Sequence, residues 1–203
     1  MSVSVCVIGG GAAGLYTALR LQQHGVKDVV VLEARDRVGG RTHSEVMGSG
    51  VTEVIDVGGQ WVGPTQKRLM DLISRYKLSL REQFEEGKHI LEFKNKLFHY
   101  AGGISELDLE GNQELAAVWQ KLDGMADKID VAAPWNSCGA VEYDGVTLRN
   151  WLQKNTSEDT TRRLVEWFAR VCIATEPSEF SLLYFLTWLK SGGLYASLVN
   201  IKA

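Results

Sequence analysis

The stretch Val3-Ser4-Val5-Cys6-Val7-Ile8-Gly9-Gly10-Gly11-Ala12-Ala13-Gly14 decides the fold. Its first six residues are a short apolar run bounded by glycines, the pattern of a strand buried on both faces of a parallel sheet. Met1 to Ile8 lacks the basic flank of a signal peptide. From Ala12 to His24, Leu15, Ala18, Leu19 and Leu21 recur at helical spacing, and Gly25 supplies the stop. Val29–Leu32 is a second β-branched run that ends at Glu33. Strand, helix and strand within about thirty residues make one βαβ unit with a parallel sheet.

Gly9, Gly11 and Gly14 form G-x-G-x-x-G between that strand and that helix. The first glycine permits the tight turn, the second lets backbone approach a pyrophosphate, and the third lets the helix pack close to the sheet. Free N–H groups at the helix start, at Ala12 and Ala13, face the phosphates. Glu33 lies nineteen residues after Gly14 and can accept both ribose hydroxyls of an adenosine, while repelling a 2′-phosphate. NAD and FAD both use this unit, so the choice between them rests on the residues beyond Glu33.

Those residues are Ala34 and then Arg35-Asp36-Arg37-Val38-Gly39-Gly40-Arg41-Thr42. This stretch resembles the R-x-G-G-R-x-T motif of flavin amine oxidases, and the resemblance implies FAD. The paired glycines allow close backbone approach, and Arg41 offers a forked cation to pyrophosphate oxygens. Arg35 could lie against adenine or a phosphate, or be solvated. A third element, Asp56-Val57-Gly58-Gly59-Gln60-Trp61-Val62-Gly63-Pro64-Thr65-Gln66, closely resembles the monoamine oxidase pattern D-x-G-G-x-aromatic-x-G-P-T-Q. Backbone without side chains at Gly58 and Gly59 can lie flat against an isoalloxazine; Gln60 and Trp61 are expected beside it. Human-type members place tyrosine where Trp61 stands, and serine or alanine where Gln60 stands.

Outward from these motifs, short strands are expected near Thr42–Val46 and Thr52–Ile55, and a helix over Gln66–Tyr76 with Leu69, Leu72 and Ile73 on one face. His89–Phe93, a Lys94-Asn95 turn and Leu97–Tyr100 alternate like an exposed hairpin. Helical spacing fills Asp108–Ile129, Leu148–Lys154, Thr160–Ile173 and Phe180–Leu189. The expected architecture is therefore α/β: a Rossmann-type FAD-binding segment over 1–78, then a mainly helical segment of a substrate-binding domain over 79–203. Arg170 to Ser181 and Leu183 to Gly193 also look like the monoamine oxidase family, so the resemblance covers essentially the whole chain. By position it implies that Phe168, Val171, Cys172, Leu198 and Val199 line or gate an apolar amine cavity. Ordinary helix-core packing explains the same residues equally well.

A formal net charge of −3, with 25 acidic against 22 basic residues, provides no broad field for nucleic acid or an anionic membrane. Cys6, Cys138 and Cys172 show no disulfide or zinc spacing, and the four histidines share no ligand spacing, so no metal is assigned. The longest late apolar stretch, Leu182–Leu189, is far short of the ~20 residues of a membrane span.

The resemblance implies an oxidoreductase that uses FAD and O2 to convert an amine to an aldehyde, ammonia and hydrogen peroxide. L-amino acid or polyamine oxidation, or FAD binding without turnover, are the alternatives. The family's flavin-proximal lysine, its substrate-flanking aromatic pair and its second cofactor segment come later than Ala203, so no catalytic residue is assigned in this chain. A chain truly ending there is expected to be an inactive fragment. The resemblance further allows a homodimer of the full-length protein. Animal members are held at the mitochondrial outer membrane by a C-terminal helix that soluble, cytoplasmic relatives lack, so location is left unassigned.

Overall fold

The computed structural model describes residues 3–48, 50, 53–84, 86–101, 107 and 109–199. Thr52 and Asp108, where two expected elements begin, lie outside them. The chain divides into two compact units, Met1–Val62 and Gly63–Ala203.

In the first unit, β1 (Val5–Ile8) and β2 (Val29–Leu32) pair in parallel, in the register Val5 to Val29 through Ile8 to Leu32, with α1 (Ala12–Gln23) as the crossover. The helix ends where expected, at a C-cap His24 followed by Gly25 in the left-handed region (φ 85°). β3 (Ser44–Val46) and β4 (Val54–Asp56) form a separate antiparallel ribbon. One expectation is corrected. β1 is not buried on both faces: half-buried Val5 and Val7 alternate with exposed Cys6 and Ile8, and β2 repeats the pattern. The reason is that α1 packs on the two strands, with Gly14 beside Val7, and neither strand has a second partner among the described residues.

The second unit opens with α2 (Lys67–Tyr76), closed by Lys77 in the left-handed region. The hairpin β5 (His89–Phe93) and β6 (Lys96–Tyr100) turns through Lys94 and Asn95, both at positive φ. Two successive positive φ values suit the twist of a two-residue hairpin. One face of this hairpin is less exposed than the alternation implied, since Leu91, Phe93 and Phe98 pack on the helical core.

The helices are α3 (Leu115–Ala126), α4 (Ala140–Asp144), α5 (Leu148–Asn155), α6 (Asp159–Ile173), α7 (Leu182–Ser191) and α8 (Leu194–Val199). Helix α3 starts later than its apolar spacing suggests, because Gly111 takes φ 78° and the Asn112 side chain donates to the Leu107 carbonyl at 2.6 Å, holding the chain in a turn. The short α4 and α8 have too few residues to display a helical period.

Side chains that stop and start these helices also join them. Thr147 and Ser181 cap α5 and α7 by accepting from Asn150 and Tyr184 N–H, and pair with each other in an isolated bridge. Glu114 and Glu158, at the starts of α3 and α6, each accept the other's backbone N–H. Satisfying helix-start donors from a neighbouring helix fixes the pair in register. Within the core, Trp119 stacks on Tyr195 at 4.0 Å and meets Phe168 edge-on at 5.0 Å. No helix among the described residues is long and apolar enough to cross a membrane.

Candidate cofactor site

The site is built on glycine contacts within the first unit. A Cβ at Gly14 would lie 1.9 Å from the Gly9 carbonyl oxygen, so only glycine lets α1 start this close to the end of β1. Gly9 itself takes φ 99° and donates to the Leu32 carbonyl at 2.7 Å, carrying the turn across to β2. Glu33 then secures the loop from the other side. Its carboxylate accepts from Gly10 N–H at 2.6 Å and from Arg35 N–H at 2.9 Å. These bonds, Arg35 first and Gly10 second, hold the carboxyl below its ordinary range, so Glu33 is anionic at neutral pH.

The second glycine pair is drawn onto the first loop. Gly39 N–H donates to the Gly10 carbonyl at 2.8 Å, Gly39 pairs with Gly11, and a Cβ on Gly40 would stand 3.2 Å from the Gly11 Cα. The third pair is drawn onto the second. Gly59 N–H donates to the Arg41 carbonyl at 3.0 Å, and a Cβ on Gly58 would meet that same oxygen at 2.1 Å. Three segments far apart in sequence thus meet as bare backbone.

Beside them lies an open depression of about 910 Å3 with a lining of mixed charge, Glu33, Asp36 and Asp56 beside Arg35, Arg37 and His43. The donors that suit a polyanion belong to the glycine turns themselves. Among the described residues, the N–H groups of Ala13, Gly14, Gly40 and Arg41 donate to no protein acceptor, and the exposed Arg41 guanidinium has no ion pair or hydrogen bond. Helix-start N–H groups and a free guanidinium are what a pyrophosphate requires. The residues present therefore fit a dinucleotide.

Most of the sequence-assigned cofactor set is brought together here: Gly9, Gly11, Ala12, Ala13, Gly14, Glu33, Ala34, Arg35, Gly40, Arg41, Gly58 and Gly59. Gln60 and Trp61 come directly after and are exposed, Trp61 by 68% of its surface. Two further residues of the site, Arg37 and Thr42, stand inside a motif without a role that sequence reasoning could give them. Arg37 grips the Gly40 carbonyl with both terminal nitrogens, each at 3.1 Å, and Thr42 holds the Gly39 carbonyl through its N–H at 3.1 Å and its hydroxyl at 2.8 Å. Their identity is visible in sequence, but their inward direction is not.

The five residues assigned to an amine cavity differ in burial. Phe168 is buried against Trp119, Tyr195 and Trp188, and Leu198 packs on the same cluster. Val171, Cys172 and Val199 are exposed. Cys172 presents surface to solvent, yet burial around its sulfur pushes the thiol above its ordinary value, which favours the protonated form.

Fold and site together define a Rossmann-type dinucleotide-binding protein. The chain belongs to the flavin-containing amine oxidoreductase family, whose pattern it matches over residues 12–199. The expected cofactor, FAD, is thereby the right one. The chain is 36% identical over 198 residues to a probable flavin-containing monoamine oxidase A of Dictyostelium discoideum, a match that covers 97% of this chain and 42% of that protein. It is 37% identical over 199 residues to the flavin-containing amine oxidase A of Sus scrofa, covering 94% of this chain and 36% of that one. A solved structure of putrescine oxidase with bound putrescine superposes with a TM-score of 0.85 at 28% identity, covering 98% of this chain and 44% of that chain. The chain therefore spans less than half the length of these relatives.

Proposed function

We propose that this chain forms the FAD-binding front of an enzyme that oxidises amines, converting amine, O2 and water to aldehyde, ammonia and hydrogen peroxide. The observation that carries the reading is the meeting of three glycine segments around unpaired N–H groups and the unpaired Arg41 guanidinium. Glu33 is assigned to the ribose hydroxyls, for which its oxygens retain lone pairs beyond those facing Gly10 and Arg35. Arg41 and the start of α1 are assigned to the pyrophosphate, with Ala34 and Arg35 beside the adenosine. Gly58, Gly59, Gln60 and Trp61 are assigned to the flavin ring. When bound, the flavin accepts the hydride equivalent and passes electrons to oxygen.

Residues 63–78 are proposed to serve the cofactor segment, although they fall in the second compact unit. Phe168, Val171, Cys172, Leu198 and Val199 are proposed to face substrate. The G-P-T-Q and Thr175-Glu176-Pro177-Ser178-Glu179 stretches favour a monoamine, whereas the likeness to putrescine oxidase supports a diamine as the second reading.

The test is spectroscopic. In the protein carrying this chain, bound-flavin absorbance should bleach anaerobically on adding a primary monoamine, and air should restore it with release of hydrogen peroxide. Stronger bleaching by putrescine selects the diamine. Failure of every amine and amino acid to bleach the flavin leaves FAD binding without turnover.

A further inference from the structure

Three arginines lie within seven residues of the cofactor loop, and the structure gives them different work. Arg41 is free, Arg35 comes just after the ribose-facing glutamate, and Arg37 is already committed: its two terminal nitrogens donate to the Gly40 carbonyl, and one reaches the Val38 carbonyl at 3.4 Å. The acceptor it holds belongs to a glycine pair at φ 101° and 61°. The Gly40–Arg41 peptide turns about ψ of Gly40 and φ of Arg41, and glycine leaves the first of these two dihedrals loosely restricted.

In a planar trans peptide the C=O and N–H point in opposite directions. Holding the Gly40 oxygen inward therefore turns the Arg41 N–H outward. Thr42 does the same one peptide earlier, because it holds the Gly39 oxygen and so turns the Gly40 N–H outward. Those are the two N–H groups of this turn with no protein acceptor. If the Gly40–Arg41 peptide flipped, a carbonyl oxygen would replace a donor and repel a phosphate.

We propose that Arg37 is a positioning residue for the cofactor: it locks the orientation of the Gly40–Arg41 peptide so that the turn presents donors to the pyrophosphate, and it does not itself bind phosphate. This rests on the assignment of FAD to the site. A guanidinium suits the task because its planar fork can place two N–H groups on one oxygen; an ammonium can match the charge but not the fork.

The test measures FAD affinity of the protein by flavin fluorescence across a range of salt, beside far-UV circular dichroism and melting without FAD. Arg37→Met should bind FAD roughly ten- to a hundredfold more weakly, with unchanged dichroism and an undiminished dependence of affinity on salt. Arg37→Lys should also bind more weakly than the parent, by a smaller factor, and serves should the methionine variant fail to fold. Arg41→Ala, by contrast, should flatten the salt dependence, since it removes a cation facing the ligand. Equal affinity in the parent and both Arg37 variants overturns the positioning role, as does a flattened salt dependence in either. A parent that takes up no FAD overturns the cofactor assignment and this inference together.

Discussion

The two units of this chain are held together by different means. In the second, twenty buried apolar residues among those described form one cluster in which Leu122, Leu152, Phe185 and Leu189 expose nothing. In the first, Ala18 is the one buried apolar residue among those described, and Ile8, Val38, Val46 and Val54 each expose more than half their surface. What holds the first unit is backbone: Gly9 to Leu32, Gly39 to Gly10, Gly59 to Arg41, and a glutamate clamped between two N–H groups. Its apolar side chains are present but largely uncovered by the described residues of the unit. Stability and binding are thus divided between the units, and the binding unit has the most to gain from its ligand, since a ligand that binds only the folded form stabilises it by mass action.

The largest effect should come from the core. Leu152→Ala removes a fully buried side chain from α5 and should cost about 2–5 kcal/mol in chemical denaturation. Val7→Ala in β1, where the side chain is half-buried, should cost about 1 kcal/mol or less, because less surface leaves water. Hydrogen exchange should rank the units likewise, with amides of β1 and β2 opening at lower free energy than those of α7. Equal costs for the two substitutions would break the contrast.

Glycine substitutions should sharpen it, since they change sign between the units. Gly14→Ala drives a methyl into the Gly9 carbonyl oxygen at 1.9 Å, and backbone on both sides cannot yield cheaply. Overpacking of this kind costs about 1–3 kcal/mol, and FAD affinity should fall with it. Gly124 sits exposed inside α3, and a Cβ there meets nothing within 4 Å. Gly124→Ala should raise stability by about 0.5–1 kcal/mol, through better helix propensity and a less disordered unfolded chain. Thermal melting of both variants reads the difference; a stabilised Gly14→Ala would show that the glycine loop is looser than its contacts indicate.

The same division explains what was legible in the sequence. The βαβ unit could be read because its signals are local: an apolar run, a glycine triplet, a helical period, and Glu33 at a fixed distance. The hairpin turn was readable from Lys94-Asn95 for the same reason. Burial was not local. The run Val3 to Ile8 has the composition of a strand covered on both faces, but coverage depends on neighbours, and β1 has one strand and one helix. At the site, residue types pointed to Glu33, Gly40 and Arg41 as cofactor contacts, while the sequence could not separate the surroundings of Arg37 from those of Arg41. Both are arginines beside the same glycines; one points at a carbonyl of its own chain and the other into solvent.

The smallest effect concerns acid, and it tells the two kinds of support apart. Glu33, Asp127 and Glu176 all have carboxyls held below their ordinary values. A carboxyl depressed in the folded state contributes stability that is complete above its unfolded value and is lost as pH falls through the folded one. For Glu33 that loss begins near the ordinary glutamate value of 4.5 and continues below it. The causes differ, however. Glu33 is held chiefly by the Arg35 and Gly10 N–H groups, Asp127 by Lys190, and Glu176 by Arg170 and then Arg149. Asp127 and Glu176 are exposed and Glu33 is half-buried; at the surface, ion pairs between mobile side chains are screened, whereas backbone donors are not displaced by salt. Carboxyl titration by NMR at low salt and at about 0.5 M salt should move Asp127 and Glu176 toward ordinary values while leaving Glu33 low. If Glu33 rises with them, the Arg35 guanidinium rather than the glycine loop is what holds it.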